Sequence, residues 1–364
     1  MKNIKPILGM SLVSTILLLN SCDKVSPTGV LVGGNGVNDR VDMSYTYYKK
    51  HMNDSIDMQT PMNSDGEYSF LVGSDSHVAT DKGRIAEMIE LGLEHGDLLW
   101  ASLGDIADTS AEYYSNLDDA LQHGKWLFFN KYFSTAEAEH TKEDGSVEKY
   151  SYVYDERFPH GEQDDPDYRN YYTDYNDINF PFYSAVGNHD VTRNGWALFS
   201  SIFHSSFFEF TVQIGNTGQY DHFIFLDTAN GTLGARQIEL LKENVLATQA
   251  SKNIRHTFVF SHTNLFRPSI MQFSSTFPRE ELYFLLNKFA EWNTTIVFCG
   301  HVHKWDDREV GGVRYLTLES MSERNSPNPG DYLVRITCKK DGTVNMERVH
   351  MSYVAGSKKQ EEEE

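Results

Sequence analysis

The pattern of apolar and polar positions changes texture at Tyr68. Before it, residues 23 to about 66 are rich in Gly, Asn, Asp, Ser and Met and keep no period, which reads as a tether packed in part at most. Beyond it, short apolar runs end in polar, Gly-containing turns, and helical periods follow some of them. Strands are predicted over 68–73, 98–103, 182–186, 207–214, 222–226, 257–260, 295–298 and 310–318, and twice within 332–351 around a turn at Asp341-Gly342. A helix is predicted over 81–95, with Ile85, Met88, Ile89 and Leu93 on one face and Thr80 as N-cap. A second covers 235–247 with Ile238, Leu241 and Val245 inward. A third begins at Pro278 and runs to Trp292. No internal repeat is present. The expected division is a leader over 1–21, the tether over 22–66, a domain over 67–352 and a charged tail over 353–364.

Composition narrows this picture. The 364 residues suffice for one large α/β domain, or for a domain with a substantial insertion. Residues 111–180 read as that insertion, because seventy residues without strong period separate two strands. They hold 16 of the 47 aromatic residues and 16 Asp/Glu against 6 Lys/Arg. A Tyr-rich surface for recognising flat or amphipathic groups and a structural excursion covering a sheet edge are equally consistent with them. The whole chain carries a net charge of −20, which repels polyanions, and no basic cluster offers a groove. Nucleic-acid polymers are therefore not expected as partners.

The first residues read as an export signal. Lys2 and Lys5 precede an apolar stretch over 7–19, too short to span a bilayer comfortably, and Leu19-Asn20-Ser21-Cys22 closes it. That ending resembles a bacterial lipoprotein signal, with Cys22 as the lipidated residue and acyl chains holding the protein at a membrane. Plain secretion is the alternative. Cys299 and Cys338 read as small core residues, with a disulfide between them left open.

Five short motifs lie at or just beyond predicted strand ends: Asp75-Ser76-His77, Gly104-Asp105-Ile106-Ala107-Asp108, Gly187-Asn188-His189-Asp190, Ser261-His262 and Gly300-His301-Val302-His303. In open α/β sheets, sites collect where loops leave the carboxyl ends of strands. Carboxylates, imidazoles and an amide oxygen suit Zn, Mn, Fe or Co. Seven such side chains exceed one tetrahedral ion and suit two divalent metal ions sharing a carboxylate. The glycines before Asp105, Asn188 and His301 are expected to supply tight turns.

In this order the motifs resemble the calcineurin-like metallophosphoesterase superfamily, whose pattern D-x-H, G-D-x-x-D, G-N-H-D/E, H, G-H-x-H is matched from about Tyr68 to Ser320. The resemblance implies an α/β fold, a two-sheet sandwich flanked by helices, with the site at one edge and the aromatic, acid-rich insertion within it. It implies that Asp75, His77 and His303 hold one metal, that Asn188, His262 and His301 hold the other, and that Asp105 bridges them. His189 would face the substrate as proton donor or as a stabilising cation, with Asp108 orienting it. A hydroxide between the metals would attack the phosphorus. Arg193, Asn194, Asn264, Arg267 and Lys304 follow the motifs closely and read first as loop polarity, as Asp227 and Thr228 read as support.

The subfamily is less legible. Asp108 stands where purple acid phosphatases carry a tyrosine ligand, and Thr109-Ser110 replace the Arg-Gly of protein phosphatases. The expected activity is hydrolysis of phosphodiesters or small organic phosphates. A phospholipid or sphingolipid head-group enzyme is one alternative. A surface lipoprotein that binds a ligand through a vestigial site is the other.

Overall fold

A computed structural model describes residues 36–51, 58–60, 66–78, 83–107, 133–141, 146–155, 182–192, 195–266, 277–321 and 333–351. In chain order the elements are α1 (Val37–His51), β1 (Met58–Gln59), β2 (Tyr68–Gly73), α2 (Gly83–His95), β3 (Leu99–Ser102), β4 (Phe133–Thr141), β5 (Val147–Asp155), β6 (Phe182–Ser184) and α3 (Gly195–Phe203). There follow β7 (Phe208–Gln213), β8 (Gln219–Leu226), α4 (Gly234–Leu240), a π turn (Leu241–Val245), α5 (Leu246–Ser251), β9 (Asn253–Ser261) and α6 (Arg279–Glu291). The chain closes with β10 (Ile296–Cys299), β11 (Asp306–Val310), β12 (Val313–Thr317), β13 (Leu333–Cys338) and β14 (Val344–Val349).

Two sheets face each other. One has seven strands in the order β1-β7-β8-β9-β10-β12-β11, the other five in the order β14-β13-β2-β3-β6. Phenylalanines fill the space between them. Phe70 on β2 meets Phe223, Phe258, Phe260 and Phe298 of the opposite sheet edge-on, with centroids 5.1–6.4 Å apart. Phe225 and Phe260 stack at 4.3 Å. Such pairs add about 0.5–1.5 kcal/mol each beyond the area they bury. Ile85 and Met88 of α2 and Phe199 of α3 cover the outer face of the five-stranded sheet. Val41 of α1, Leu240 and Leu241, and Leu285 and Phe289 of α6 cover the other. The α/β two-sheet sandwich expected from the resemblance is the observed fold.

Strands β2, β3 and β6 run parallel and adjacent, as do β9 and β10. Within each sheet their carboxyl ends point the same way, and loop contacts such as that of the His301 amide to Asp75 Oδ2 at 3.0 Å bring the two sets of ends to one edge, where the five motifs begin.

Two readings change. Residues 37–51, inside the stretch read as a tether, form helix α1, and Val37, Arg40, Val41 and Ser44 are buried. The strand expected over 310–318 is a hairpin, β11 and β12, turned at Gly311-Gly312 with φ of 63° and 79°. Two adjacent left-handed residues match the twist of a two-residue hairpin, and glycine adopts them without strain. The reading of Cys299 and Cys338 as small core residues holds, since both are buried and both are free. Of the 111–180 insertion, β4 and β5 form a two-stranded sheet of their own. The leader with Cys22, the N-cap at Thr80 and the tail lie outside the described residues. Among the described residues, no helix is long and apolar enough to cross a membrane.

Phe70→Ala removes the ring that touches four partners across the sandwich and should cost about 3–5 kcal/mol of folding stability, read as a shifted urea midpoint. A loss under about 1 kcal/mol would mean that the sheets close over the gap.

Candidate metal centre

Backbone ladders place the motif loops before any side chain acts. Beyond β2 and β3, the amides of Asp75, His77 and Val78 donate to the carbonyls of Gly104, Asp105 and Ile106 at 2.9–3.1 Å. The Gly300 amide joins its loop to the His262 carbonyl at 2.9 Å, and the Met321 amide reaches across to the Ser74 carbonyl at 2.8 Å. Of the three glycines expected to supply turns, only Gly104 has a left-handed φ, 92°. Gly187 and Gly300 serve by leaving room. A Cβ at Gly187 would sit 2.2 Å from the Asp105 amide, and one at Gly300 would sit 2.7 Å from Asp75 Oδ2.

The side chains converge in two groups. Asp75, His77 and His303 present ligand atoms within 4.8 Å of one another, and so do Asp105, His262 and His301. Each group combines residues from both sheets. In the first, His303 Nε2 lies 3.1 Å from Asp75 Oδ1 and 3.4 Å from His77 Nε2. In the second, His262 Nε2 lies 3.1 Å from His301 Nδ1, 3.3 Å from Asp105 Oδ2 and 3.0 Å from Asn188 Oδ1. Asn188 thus joins the second group, and all seven residues implied as ligands meet at one edge. His262 Nδ1–H donates to the Leu103 carbonyl at 2.9 Å, which turns Nε2 toward the cluster.

This geometry is held under strain. Among the described residues seven non-glycine positions have positive φ, and five are Asp75, His77, Asp105, His301 and His303, at 44–70°. Left-handed backbone costs of order 1–3 kcal/mol at a non-glycine residue and persists only where surroundings enforce it. Asp75 and Asp105 are buried. Burial alone would raise their pKa values. Hydrogen bonding from His303 and the charge of His262 outweigh this at Asp75, and His262, His189 and His77 outweigh it at Asp105, so both carboxyls stay below the usual range. Burial opposes a charge on His262, but Asp105, then Asp75 and Asp190, push its pKa up to about 9. Carboxylates, imidazoles and an amide oxygen crowd together here, and among the described residues no lysine or arginine pairs with Asp75 or Asp105, a donor set that fits divalent metal ions.

His189 belongs to neither group. Its side chain is exposed, its amide donates to Asp105 Oδ1 at 2.7 Å, and its ring lies edge-on to His77 at 4.8 Å between centroids. Asp108, Arg193, Asn194 and Arg267 lie outside the described residues. Asn264 is spent on the structure, donating to Thr317 Oγ1 and accepting from the Phe266 amide. Sequence reasoning gave no role to Asp190. This buried carboxylate accepts from the amides of Gly187, Ile106 and Ala107 at 2.8, 3.1 and 3.5 Å, tying the second motif to the third. An acid directly after His189 was the available signal. Ser320 Oγ likewise donates to the Asp75 carbonyl at 2.8 Å.

No family model matches the chain, and no curated protein matches it. Among solved structures it is similar to a dimetal phosphatase from Danio rerio, at 11% identity over 78% of this chain and 96% of that one, with a TM-score of 0.49. It is similar to GAP50, the anchor in the inner membrane complex of Plasmodium, at 13% identity over 79% and 90%, with a TM-score of 0.47. A zinc complex of Vps29 from Entamoeba histolytica is similar at 15% identity over 78% and 98%, with a TM-score of 0.30. At such values these likenesses add no weight of their own. The two facing sheets and the convergence of the motif residues agree with what the motif resemblance implies, independently of them.

The raised His262 has a sign. Its proton stabilises the metal-free protein fully below the ordinary 6.5, and that contribution is lost as pH rises through about 9. The same proton must leave before Nε2 can bind a metal. Zinc uptake at pH 7 should therefore release protons and tighten as pH rises toward 9. Calorimetry in buffers of different ionisation enthalpy reads the release, and a heat independent of buffer would contradict it.

Proposed function

We propose that this chain is a two-metal phosphoesterase of the calcineurin-like kind, hydrolysing phosphodiesters or small organic phosphates. The observation that carries the reading is the convergence of seven ligand-type side chains in two groups at one sandwich edge, with an exposed histidine beside them. Asp75, His77 and His303 would hold one ion, Asn188, His262 and His301 the other, with Asp105 between them. Two divalent ions held so supply an activated water at neutral pH and a clamp for phosphoryl oxygens.

The chain's own residues do the rest. His262 is fixed in one tautomer by the Leu103 carbonyl. Asp105 accepts the His189 amide through Oδ1 and faces His262 through Oδ2, so a single carboxylate sets the spacing between ligands and acid. His189 stands on the solvent side, where a substrate arrives. As the ester P–O bond breaks, it gives its proton to the departing alkoxide oxygen. The motif resemblance assigns the orienting of that ring to Asp108. Export and lipidation at Cys22 belong to the same proposal and rest on the leader pattern.

Three measurements on full-length protein test this. Wild-type protein loaded with manganese or zinc should hold about two ions per chain and turn over bis-p-nitrophenyl or p-nitrophenyl phosphate. No turnover on any ester at full loading would sink the reading. His189→Ala should keep both metals and lose about 10²–10⁴-fold in kcat; metal loss would show instead that His189 is a ligand. Asp105→Asn should weaken both metals together, and full occupancy of both would contradict its shared position.

A further inference from the structure

Helix α1 brings a charge into the core. Arg40 is fully buried, and its guanidinium grips Asp227 at two points, Nε to Oδ2 and Nη2 to Oδ1, both 2.8 Å. Nη2 also donates to Asn230 Oδ1 at 2.8 Å, and the guanidinium lies 5.9 Å from the Trp196 ring centroid. Such a buried pair stabilises little over an apolar substitute of equal volume. What it fixes is place.

The place matters because of the next residue. Asp227 directly follows β8, and its main chain is held by Gln237, which accepts from its amide and donates to its carbonyl at 2.8 Å each. Thr228 follows. Its Oγ1 accepts the amides of His262 and Thr263 at 3.0 and 3.1 Å, and its carbonyl accepts Thr263 Oγ1 at 2.6 Å. Thr228 therefore sets the backbone from which His262 reaches the second group. Trp196 leads α3, just after the third motif, where a Cβ on Gly195 would sit 2.6 Å from the Asp190 carbonyl. Helix α1 has a second hold on the same loop. Asn38 Oδ1 accepts the Arg236 amide at 3.0 Å at the start of α4, the helix that carries Gln237.

We propose that Arg40 is a positioning residue for the metal centre, fixing the His262 loop through Asp227 and Thr228. The segment before the sandwich is then a working part of the site. This rests on the metal-centre reading above.

The test uses full-length protein and zinc alone. His262→Ala and His77→Ala identify which step of the zinc isotherm belongs to which group. Arg40→Met should lower zinc affinity at the His262 group by about ten- to a hundred-fold and spare the Asp75 group. In metal-free protein it should also speed hydrogen exchange at the His262 and Thr263 amides. Arg335→Met is the control. It breaks another buried arginine–aspartate pair, Arg335 Nε to Asp97 Oδ2 at 3.0 Å, at the far end of the strands. It should lower the melting temperature comparably and leave both readouts unchanged. Equal behaviour of the two variants would overturn the proposal. Should Arg40→Met not fold, Arg40→Lys keeps the charge without the two-point grip. It should lose part of the affinity and protection, and unchanged values would overturn the proposal as well. Wild-type protein that takes up no zinc would fail the metal reading, while amide exchange still judges Arg40 without metal.

Discussion

The structure is organised around the cost of burying carboxylates. Asp75 and Asp105 sit out of water at the seam between two sheets, and an uncompensated charge in such a place costs several kcal/mol or more. The protein meets this problem in three ways. Asp227, Asp221 and Asp97 are paired with Arg40, Arg255 and Arg335. Asp190 is met by backbone amides from two loops. Asp75 and Asp105 are met by histidines, and among the described residues no lysine or arginine pairs with either. Only the third solution brings lone pairs together. Arginine would end the chemistry by satisfying the carboxylate outright, whereas imidazole can either carry a proton or give up its nitrogen to a metal.

That choice explains where strain is spent. Five positive-φ positions among the candidate ligands would be hard to hold in independent loops. Here each loop leaves a parallel strand whose direction the aromatic core has fixed, and the loops are laced together by amide–carbonyl bonds. The absence of side chains at Gly187 and Gly300 then lets those loops approach until Asp105 and Asp75 lie within reach of the histidines. The energy stored in backbone geometry is thus balanced by packing remote from the chemistry.

The strand ends and their chemistry were legible because both signals are local. An apolar run followed by Gly-Asp or Gly-His declares a buried strand and its exit within six residues. Helix α1 was not legible, because its buried face includes Arg40 and Ser44, which look like solvent-facing residues until Asp227 and Ser206 are placed against them. The β11–β12 hairpin was hidden for a related reason. Its β11 strand is half-exposed to exposed along its length, so no apolar alternation marks it, and the glycine pair alone carried the turn. Asp190 was visible as a motif letter, yet its work is done on backbone amides far from it in sequence, and spacing does not report that. Thr228 was assigned to support by its strand-end position, and the loop it holds became clear only with the fold.

Each candidate metal group draws on both sheets, and this couples the site to the fold. Asp75 and His77 leave β2 in the five-stranded sheet, while His303 leaves β10 in the seven-stranded one. Asp105 leaves β3 in the first sheet, while His262 and His301 leave β9 and β10 in the second. Neither sheet alone contains a complete group. An ion bound at either place would therefore tie the sheets together, and its binding free energy would count toward closing the sandwich. Without metal, the same edge holds buried carboxylates, charged imidazole and left-handed backbone, all held in place by aromatic packing between the sheets. The core must therefore be more than sufficient for folding, since it also bears the strain of this edge.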